Sequence, residues 1–310
     1  MRAAQISELS GEPAVAELAE PVAEGREIVE VLAVALNPLD LAVAAGRFYG
    51  GHPPLPYVPG CEAVGRTRDG ERVYFFGDGL GVARDGTLAE RATVAAERFV
   101  PVEEDVDDAM AVMLGIAGII GWSAVERAGI GPDDRVLVLG ASGTSGLVAV
   151  QGAKLRGAER VVAAGRDVQK LERALELGAD ETVALDGDLA AACGGDGPTV
   201  VIDALWDGPV AAAAEAAAPR ARIVHYGQSA GPEATLKSAT VRGKELELLG
   251  LSNFARTNEE LRALHGDLLR HARSGTIRVD FETFSLDDVD DAWRRQAEGA
   301  KAVILIDVTT

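Results

Sequence analysis

The spacing of apolar residues changes near residue 111, and the change predicts two kinds of fold within one chain. Before that point, short runs rich in β-branched residues, EIVEVLAVAL (27–36) and RFVPV (98–102), are separated by dense Gly and Pro. Short strands broken by turn residues favour a small β-barrel or sandwich. The N-terminal part is therefore predicted to be mainly β.

From about Ala111 the pattern is that of strands alternating with helices such as VQKLERALELGA. Continuous apolar strands joined by helices predict a parallel sheet with helices on both faces. The tail from about residue 255 adds two helices and two strand candidates, TIRVDFETF and AVILIDV. The strand candidates of the middle part are RVLVLG (135–140), RVVAAG (160–165), ETVAL, TVVIDAL, RIVHYG and LELLGLS (246–252).

The loop between RVLVLG and the next helix carries the sharpest chemical signal, a G-x-x-G-x-x-G spacing in GASGTSG. Glycine permits a tight turn and close approach of the backbone to a pyrophosphate, and the helix N-terminus offers N–H groups and partial positive charge to the phosphates. The alternative is a glycine turn without a ligand. The cofactor contacts predicted here are Gly140, Ser142, Gly143, Thr144 and Ser145.

The tip of the next strand, AAGRD, predicts which dinucleotide binds. Enzymes that prefer NAD place an acid about 20 residues after the loop, where it bonds the ribose 2′-hydroxyl. Here Gly165 occupies that place and Arg166 follows, with Lys170 one turn later. Because the guanidinium fork suits a phosphate, NADP(H) is predicted over NAD(H). The alternative is that Arg166 is only a solvated surface charge.

The ends of the later strands predict further cofactor contacts, because ligands of parallel sheets bind at the carboxyl ends of the strands. His225, just inside one of these ends, is interpreted as a packed residue and not as an acid. The predicted contacts are Ala204, Tyr226, Gly227, Leu251, Ser252 and Asn253.

Composition narrows the function classes without identifying one. The 310 residues carry a formal net charge of −19, which argues against binding to nucleic acid or to an anionic membrane. Two cysteines make no disulfide framework, and the N-terminus lacks the apolar segment of a signal peptide. A cytoplasmic protein is the expectation, with no membrane span.

Three segments together resemble the medium-chain dehydrogenase/reductase superfamily, in its zinc-free quinone oxidoreductase branch with ζ-crystallin-like proteins and enoyl reductases. They are ALNPLDLAVAAGRFYGGHPPLPYVPGCEAVG, the GASGTSG loop, and the ending GAKAVILIDV. The resemblance implies an α/β Rossmann domain plus a GroES-like β-barrel, with the cofactor and substrate meeting between them. It implies a catalytic domain over 1–112, an NADP(H) domain over 113–254, and a return to the catalytic domain over 255–310.

The resemblance also bears on metal binding. Zinc alcohol dehydrogenases of the family carry Cys, then His-Glu, then a second Cys, and these places match Asn37, Cys61 and Glu62 here, with no ligand type in GIAGIIG (115–121). Zinc requires three or four ligands, so no metal is predicted. Cys61 as a nucleophile is the weaker alternative to a buried thiol, because the neighbouring Glu62 opposes thiolate formation.

The resemblance implies few catalytic side chains. Asn37 would lie near the nicotinamide and donate to the substrate oxygen, or else be only a turn residue before Pro38. Asp40 would fix the loop. Relatives with G-x-Y have a tyrosine where this chain has Phe48, so Tyr49 is the candidate proton donor, or else a residue that merely covers the cleft. Backbone at 251–253 would face the carboxamide.

The predicted function is a metal-free, NADPH-dependent reductase that transfers hydride to a quinone or an α,β-unsaturated carbonyl compound. The alternatives are an NADPH-binding protein with little turnover and, against the missing ligands, a zinc alcohol dehydrogenase. A dedicated biosynthetic role on a carrier-bound intermediate also stays open. The expected partners are a small-molecule substrate and a second copy of the chain in a homodimer paired along the LELLGLS edge.

Overall fold

A computed structural model describes residues 1–167 and 169–307, which form two compact units. Unit 1 comprises Met1–Ala117, Arg256–Arg270 and the chain from Asp280 onward. Unit 2 comprises Gly118–Ala255 and His271–Val279. Over the described ranges, no helix combines the length and the apolar character needed to cross a membrane.

The strands are numbered along the chain. They are β1 (Arg2–Gln5), β2 (Ala14–Glu17), β3 (Glu27–Ala35), β4 (Glu62–Arg66), β5 (Arg72–Phe76), β6 (Arg91–Val94), β7 (Val100–Pro101), β8 (Arg135–Leu139), β9 (Arg160–Gly165), β10 (Glu181–Ala184), β11 (Val200–Asp203), β12 (Arg222–His225), β13 (Glu247–Gly250), β14 (Glu282–Ser285) and β15 (Ala302–Leu305).

The helices are numbered in the same way. They are α1 (Pro38–Ala44), α2 (Asp108–Met113), α3 (Ile116–Ala128), α4 (Thr144–Leu155), α5 (Glu172–Glu176), α6 (Leu189–Cys193), α7 (Asp207–Ala216), α8 (Ser238–Gly243), α9 (Asn258–Arg273) and α10 (Val289–Ala297). Short 3-10 turns lie at Ala96–Arg98, Gln169–Leu171, Asn253–Ala255 and Leu286–Asp288.

Unit 1 is built on a mixed sheet in the order β14-β15-β3-β4-β5-β7, with β6 also paired to β3. The strands β14 and β15 are parallel to each other and the remaining pairs are antiparallel. The tail strand β15 pairs with β3, so the end of the chain completes the sheet begun near its start. The apolar core lies on this sheet and includes Val31, Phe75 and Ile304.

Unit 2 is a six-stranded, fully parallel sheet in the order β10-β9-β8-β11-β12-β13. Successive residues of each strand point to opposite faces. In β8, Val136 and Val138 belong to the cluster under α3, α4 and α5, whereas Leu137 and Leu139 belong to the cluster under α6 and α7. This confirms the predicted parallel sheet with helices on both faces, and it brings the carboxyl ends of all six strands to one edge.

Two predicted elements differ from the structure. Within VQKLERALELGA, the described residues 169–179 hold a 3-10 turn and the short α5, whose Ala174 is buried, before Gly178 at φ +108° ends the helical segment. TIRVDFETF becomes a strand only at Glu282, because the backbone of Arg278 is held instead by the side chain of Gln151. The Gln151 amide donates to Arg278 O at 2.9 Å and accepts from Arg278 N at 2.8 Å.

Candidate functional site

In unit 2, the glycine loop between β8 and α4 has the geometry that its spacing predicts. Gly140 adopts φ +78°, a conformation that L-residues rarely take. At Gly146 an added Cβ would lie 2.5 Å from Gly140 O and 2.7 Å from Ala141 Cα, so only glycine allows the helix to pack this closely on the loop. The spacing is therefore required by the turn itself as well as by any ligand.

The start of α4 is open to solvent. Gly143 is the N-cap residue, and Ser142 and Gly143 are exposed, while Thr144 is buried and Ser145 is half-buried. An added Cβ at Gly143 would meet only Gly140 O, at 3.6 Å. The first N–H groups of a helix have no intrahelical acceptor and suit an anion. The open start of α4 is thus compatible with a pyrophosphate, and contact of these four residues with a cofactor stays a prediction.

The tip of β9 is closely packed where the chain has Gly165 instead of an acid. Gly165 is the buried last residue of β9, and an added Cβ would lie 3.1 Å from Leu171 Cδ2. Arg166 and Lys170 beyond it are exposed, and neither forms an ion pair with any residue in the described ranges. Both cations are therefore available to a phosphate at the edge of the sheet where β8 also ends.

The other predicted contacts lie along the same edge. Ala204 follows β11, Tyr226 and Gly227 follow β12, and Leu251 and Ser252 follow β13, with Asn253 buried behind them. Gly227 permits close packing, because an added Cβ would lie 2.6 Å from Ala204 O. Burial raises the pKa of Tyr226 to about 12, beside Ser145 at the start of α4. The structure thus brings the predicted cofactor residues to adjacent strand ends.

Sequence reasoning missed one pair at this edge. Asp203 ends β11, His225 ends β12, and the parallel register sets them side by side. Asp203 Oδ2 lies 2.7 Å from His225 Nδ1, and the Trp206 ring packs against the imidazole, tilted by 37°, with 4.0 Å between centroids. The sequence offered one indication of this pair, because each residue is polar and is the last residue of a mainly apolar strand.

In unit 1, the chemistry is concentrated on one buried carboxyl group, that of Glu62. Its Oε1 accepts from Asn37 Nδ2 at 2.7 Å, and its Oε2 accepts from Tyr74 Oη and from Ile116 N, both at 2.7 Å. Gly115 makes this approach possible, since an added Cβ would lie 2.1 Å from Glu62 Oε2. Glu62 therefore joins β4, β5, the start of α1 and the start of α3.

Asn37 and Asp40 form the start of α1. Asp40 Oδ2 accepts from Asn37 N at 2.7 Å, a reciprocal cap at the helix N-terminus, and Pro38 occupies the first helical position. The Asn37 amide nitrogen donates to Ala35 O at 3.2 Å as well as to Glu62. Both of its N–H groups are engaged, so the predicted donation to a substrate oxygen, which stays a prediction, requires one of these bonds to be exchanged.

The titrating groups of this cluster are shifted in the direction that burial dictates. Burial raises the pKa of Glu62 to about 7, and the bonds from Asn37, Ile116 and Tyr74 offset part of the rise. Burial raises the pKa of Asp40 to about 6, offset in part by hydrogen bonding from Cys61. Neither carboxyl bonds to an Arg or Lys in the part of the chain that the structure describes.

Cys61 lies buried between these acids, with 2% exposure. Burial and the charge of Asp40 hold the pKa of its thiol well above the ordinary value. A thiol of this kind is a poor nucleophile at neutral pH. Tyr57 is buried beside it, and burial raises the pKa of its hydroxyl as well.

Tyr49 lies outside this cluster. Its side chain is 84% exposed, and its ring contacts Phe48 with 4.4 Å between centroids. The structure therefore brings Asn37 and Asp40 together with Glu62 but shows no bond from Tyr49 to them. The proton-donor role of Tyr49 stays a prediction.

The donor set of unit 1 does not fit a zinc ion. Both oxygens of Glu62 already accept hydrogen bonds, and the Cys61 thiol is disfavoured as a thiolate. Across residues 1–167 and 169–307, no group of three or more His, Cys, Asp or Glu side chains is arranged to hold a metal. Zinc sites in proteins require three or four such ligands.

Comparison with known proteins identifies relatives for this arrangement. Residues 146–266 match the family model described as zinc-binding dehydrogenase. Rat quinone oxidoreductase is 26% identical over 303 residues, which cover 90% of this chain and 88% of the relative. A phenolphthiocerol/phthiocerol polyketide synthase subunit of Mycobacterium tuberculosis is 29% identical over 294 residues. That match covers 87% of this chain but only 13% of the much longer synthase polypeptide.

Solved structures give the same answer for the fold. The quinone oxidoreductase from Thermus thermophilus, whose structures include a complex with NADPH, superposes with a TM-score of 0.83 at 27% identity. The alignment covers 98% of this chain and 100% of that one. The comparison confirms the predicted combination of a Rossmann domain and a GroES-like domain.

Proposed function

The chain belongs to the medium-chain dehydrogenase/reductase superfamily, in its quinone oxidoreductase branch, and we propose that it is an NADPH-dependent, metal-free reductase. Its substrates are quinones or α,β-unsaturated carbonyl compounds, to which NADPH supplies hydride when bound. The observation that carries the proposal is the open glycine loop of unit 2, followed at the next strand tip by Gly165 and Arg166 in place of an acid.

The residues that would hold NADP(H) are those at the carboxyl edge of the unit 2 sheet. Ser142 and the first turn of α4 would bind the pyrophosphate through backbone N–H groups. Gly143, whose own N–H donates to Gly140 O at 3.2 Å, would leave room for its approach. Arg166 and Lys170 would bind the 2′-phosphate, whose negative charge an acid at Gly165 would repel. Backbone groups following β12 and β13 would hold the nicotinamide end.

The cofactor preference is tested by titrating NADPH and NADH against the full chain and against Arg166→Ala. We expect NADPH to bind more tightly, and Arg166→Ala to weaken NADPH roughly tenfold while leaving NADH unchanged. Arg220→Ala is the matched control, because Arg220 is 81% exposed and lies before β12, at the opposite edge of the sheet. Equal or tighter binding of NADH would contradict the preference.

Metal-free chemistry is supported by the ligand geometry of unit 1, where Glu62 is committed to Asn37, Tyr74 and Ile116. Without a metal, the protein itself has to orient the substrate carbonyl and stabilise the enolate that forms after hydride transfer. Metal analysis of the purified active protein tests this. Stoichiometric zinc, with activity lost to a chelator and restored by zinc, would overturn it.

Turnover is tested by following NADPH oxidation with a panel of quinones, enones and enoyl thioesters. Enoyl thioesters are included because one of the relatives is part of a polyketide synthase. Saturable turnover with one class supports the reductase and names its substrates. Tight NADPH binding without turnover on any class would support the alternative, a cofactor-binding protein with little activity.

The homodimer is proposed from the β13 edge of unit 2. Strand β13 ends the sheet order, and within the described chain its outer edge pairs with no strand. Leu248 on it is 51% exposed. An exposed apolar edge strand is a template for pairing with a second chain. Light scattering should give a dimer for the full chain and a monomer for Leu248→Lys; a monomeric parent chain would refute the proposal.

A further inference from the structure

Asp203 organises a group of side chains at the ends of β11 and β12 that the proposed function leaves unused. It is completely buried, and both of its oxygens are engaged. Oδ1 accepts from Leu205 N at 2.9 Å and from Trp206 N at 3.1 Å, while Oδ2 faces His225 Nδ1 at 2.7 Å. One carboxylate thus fixes both the turn after β11 and the ring at the end of β12.

The turn that Asp203 holds is strained. Trp206 has φ +64° and ψ −159°, a region that is essentially reserved for glycine, and Asp207 follows at φ +51°. The strained conformation places the indole on His225, with 4.0 Å between ring centroids. Strained residues persist where the surrounding structure holds them, and they cluster at ligand sites.

The hydrogen bond to Asp203 determines the chemistry of the free nitrogen of His225. A carboxylate can only accept, so in the tautomer that satisfies this contact the hydrogen is on Nδ1 of His225. In the neutral form of that ring, Nε2 is an acceptor. This nitrogen bonds to no residue in the described ranges, and the side chain is 25% exposed.

His225 lies in the half of the sheet where the nicotinamide half of a dinucleotide would bind. In this strand order, the two halves of the sheet each bind one mononucleotide, across the point where the order reverses. β9 and β8 carry Arg166 and the glycine loop, so β11, β12 and β13 form the half for the nicotinamide mononucleotide. The turn also touches the glycine loop, since an added Cβ at Gly140 would lie 3.0 Å from Leu205 Cδ2.

We propose that His225, held in one tautomer by Asp203, is a hydrogen-bond acceptor for the nicotinamide mononucleotide half of NADP(H). The bound donor is the carboxamide NH2 or a hydroxyl of the adjacent ribose. Trp206 keeps the imidazole plane fixed, and Asp203 is a positioning residue that does not touch the ligand. This inference rests on the proposed cofactor.

The test is a set of equilibrium titrations of the full chain with NADP⁺ and with 2′,5′-ADP, which contains only the adenosine half. His225→Phe keeps a ring against Trp206 but removes the acceptor. We expect it to weaken NADP⁺ about tenfold, the effect of one lost hydrogen bond, and to leave 2′,5′-ADP unchanged. His271→Phe is the matched control, because His271 contacts Trp122 in unit 2 at 5.1 Å and is not at a strand end.

The 3-acetylpyridine analogue of NADP⁺, which lacks the carboxamide NH2, distinguishes the two donors. If His225→Phe weakens NADP⁺ but not the analogue, the donor is the carboxamide; if it weakens both equally, the donor is the ribose. Unchanged NADP⁺ binding in His225→Phe overturns the inference, as does an equal loss of 2′,5′-ADP. If the unaltered chain binds neither ligand, the proposed function itself fails, and the inference fails with it.

Asp203→Asn separates positioning from general structural damage. The Asn oxygen can still accept from Leu205 N and Trp206 N, but its NH2 then faces His225 Nδ1 and forces the hydrogen onto Nε2. Nitrogen-15 NMR of the imidazole should show protonated Nδ1 in the unaltered chain and protonated Nε2 in the variant. NADP⁺ should weaken about tenfold, as in His225→Phe. An unchanged tautomer with weakened binding would overturn the positioning role.

Discussion

Glu62 in unit 1 and Asp203 in unit 2 are both buried carboxyl groups that hold several chain segments together, but their partners differ. Glu62 accepts from an amide, a phenol and a backbone N–H, with the second acid Asp40 nearby. Asp203 accepts from two backbone N–H groups and an imidazole, at the open edge of a parallel sheet.

The difference shows that burial alone does not decide what a carboxyl group does. Both oxygens of Glu62 accept hydrogen bonds from buried groups, among them those at the starts of α1 and α3. Loss of the Glu62 side chain therefore destabilises the fold of unit 1. Asp203 also organises a fold element, but its imidazole partner keeps one nitrogen open at the strand ends. We therefore expect perturbations in unit 1 to appear in stability and those at Asp203 to appear in ligand binding.

The largest effect expected is that of Glu62→Ala. It leaves Asn37 Nδ2, Tyr74 Oη and Ile116 N without their buried acceptor, and each unpaired group costs about 1–3 kcal/mol. The free energy of unfolding measured in urea should fall by roughly 3–5 kcal/mol. Glu62→Gln is the control of equal size and should lose less. A loss below roughly 1 kcal/mol for Glu62→Ala would contradict the conclusion that this carboxyl holds several segments of unit 1 together.

The next effect is a loss of stability as pH rises. Folding raises the pKa of Glu62 from 4.5 to about 7 and that of Asp40 from 3.8 to about 6, both chiefly through burial. A raised pKa means that the folded state favours the protonated acid. This stabilisation is therefore complete below the ordinary pKa values of the two acids and is lost as pH rises through their folded-state values of about 6 and 7.

The two acids should therefore contribute a decrease of roughly 3 kcal/mol to the stability measured by urea unfolding between pH 5 and pH 8. Glu62→Gln should flatten this decrease, because it removes the group with the higher pKa. Stability that rises over the same interval would show that these acids are not buried in the way the structure indicates.

His265 should act in the opposite direction at lower pH. It is fully buried, stacks on Tyr74 with 4.5 Å between centroids, and bonds through Nε2 to Ala111 O at 2.9 Å. Burial lowers its pKa from 6.5 to about 4. The neutral form is favoured in the folded state, so this contribution is complete above pH 6.5 and is lost as pH falls through about 4.

His265→Gln keeps a donor for Ala111 O but removes the titrating ring. Because Glu62 and Asp40 stabilise both proteins as pH falls over the same interval, the contribution of His265 is measured as a difference. Relative to His265→Gln, the unaltered chain should lose roughly 2–3 kcal/mol of stability between pH 6.5 and pH 4. An equal pH dependence in the two proteins would contradict this contribution.

How far the sequence predicts these sites depends on how local their geometry is. Gly140, Gly143 and Gly146 were found by spacing, because a tight turn and a close helix impose a short-range pattern. The partners of Glu62 come from residues 37, 74 and 116, and no spacing rule links them. Asp203 and His225 meet only through the parallel register of β11 and β12, which is set by packing of the whole sheet.

The two cysteines provide the smallest test, one in each unit. Cys61 is buried beside Asp40, whereas Cys193 is buried in the apolar cluster under α6 and α7. Burial raises the pKa of the Cys193 thiol to about 12. Serine is close in size to cysteine, but its hydroxyl needs a stronger partner, and a buried hydroxyl without one costs about 1–3 kcal/mol.

Cys61→Ser should therefore cost less than roughly 1 kcal/mol in urea unfolding, because the serine hydroxyl can donate a hydrogen bond to Asp40, whose Oδ1 has no other partner among the described residues. Cys193→Ser should cost about 1–2 kcal/mol, because the side chain enters the apolar cluster. Cys61→Ala and Cys193→Ala measure only the effect of the lost side-chain volume. Their losses of stability should therefore differ little from each other. If the two serine variants were equally stable, the polar character of the unit 1 core would not extend to Cys61.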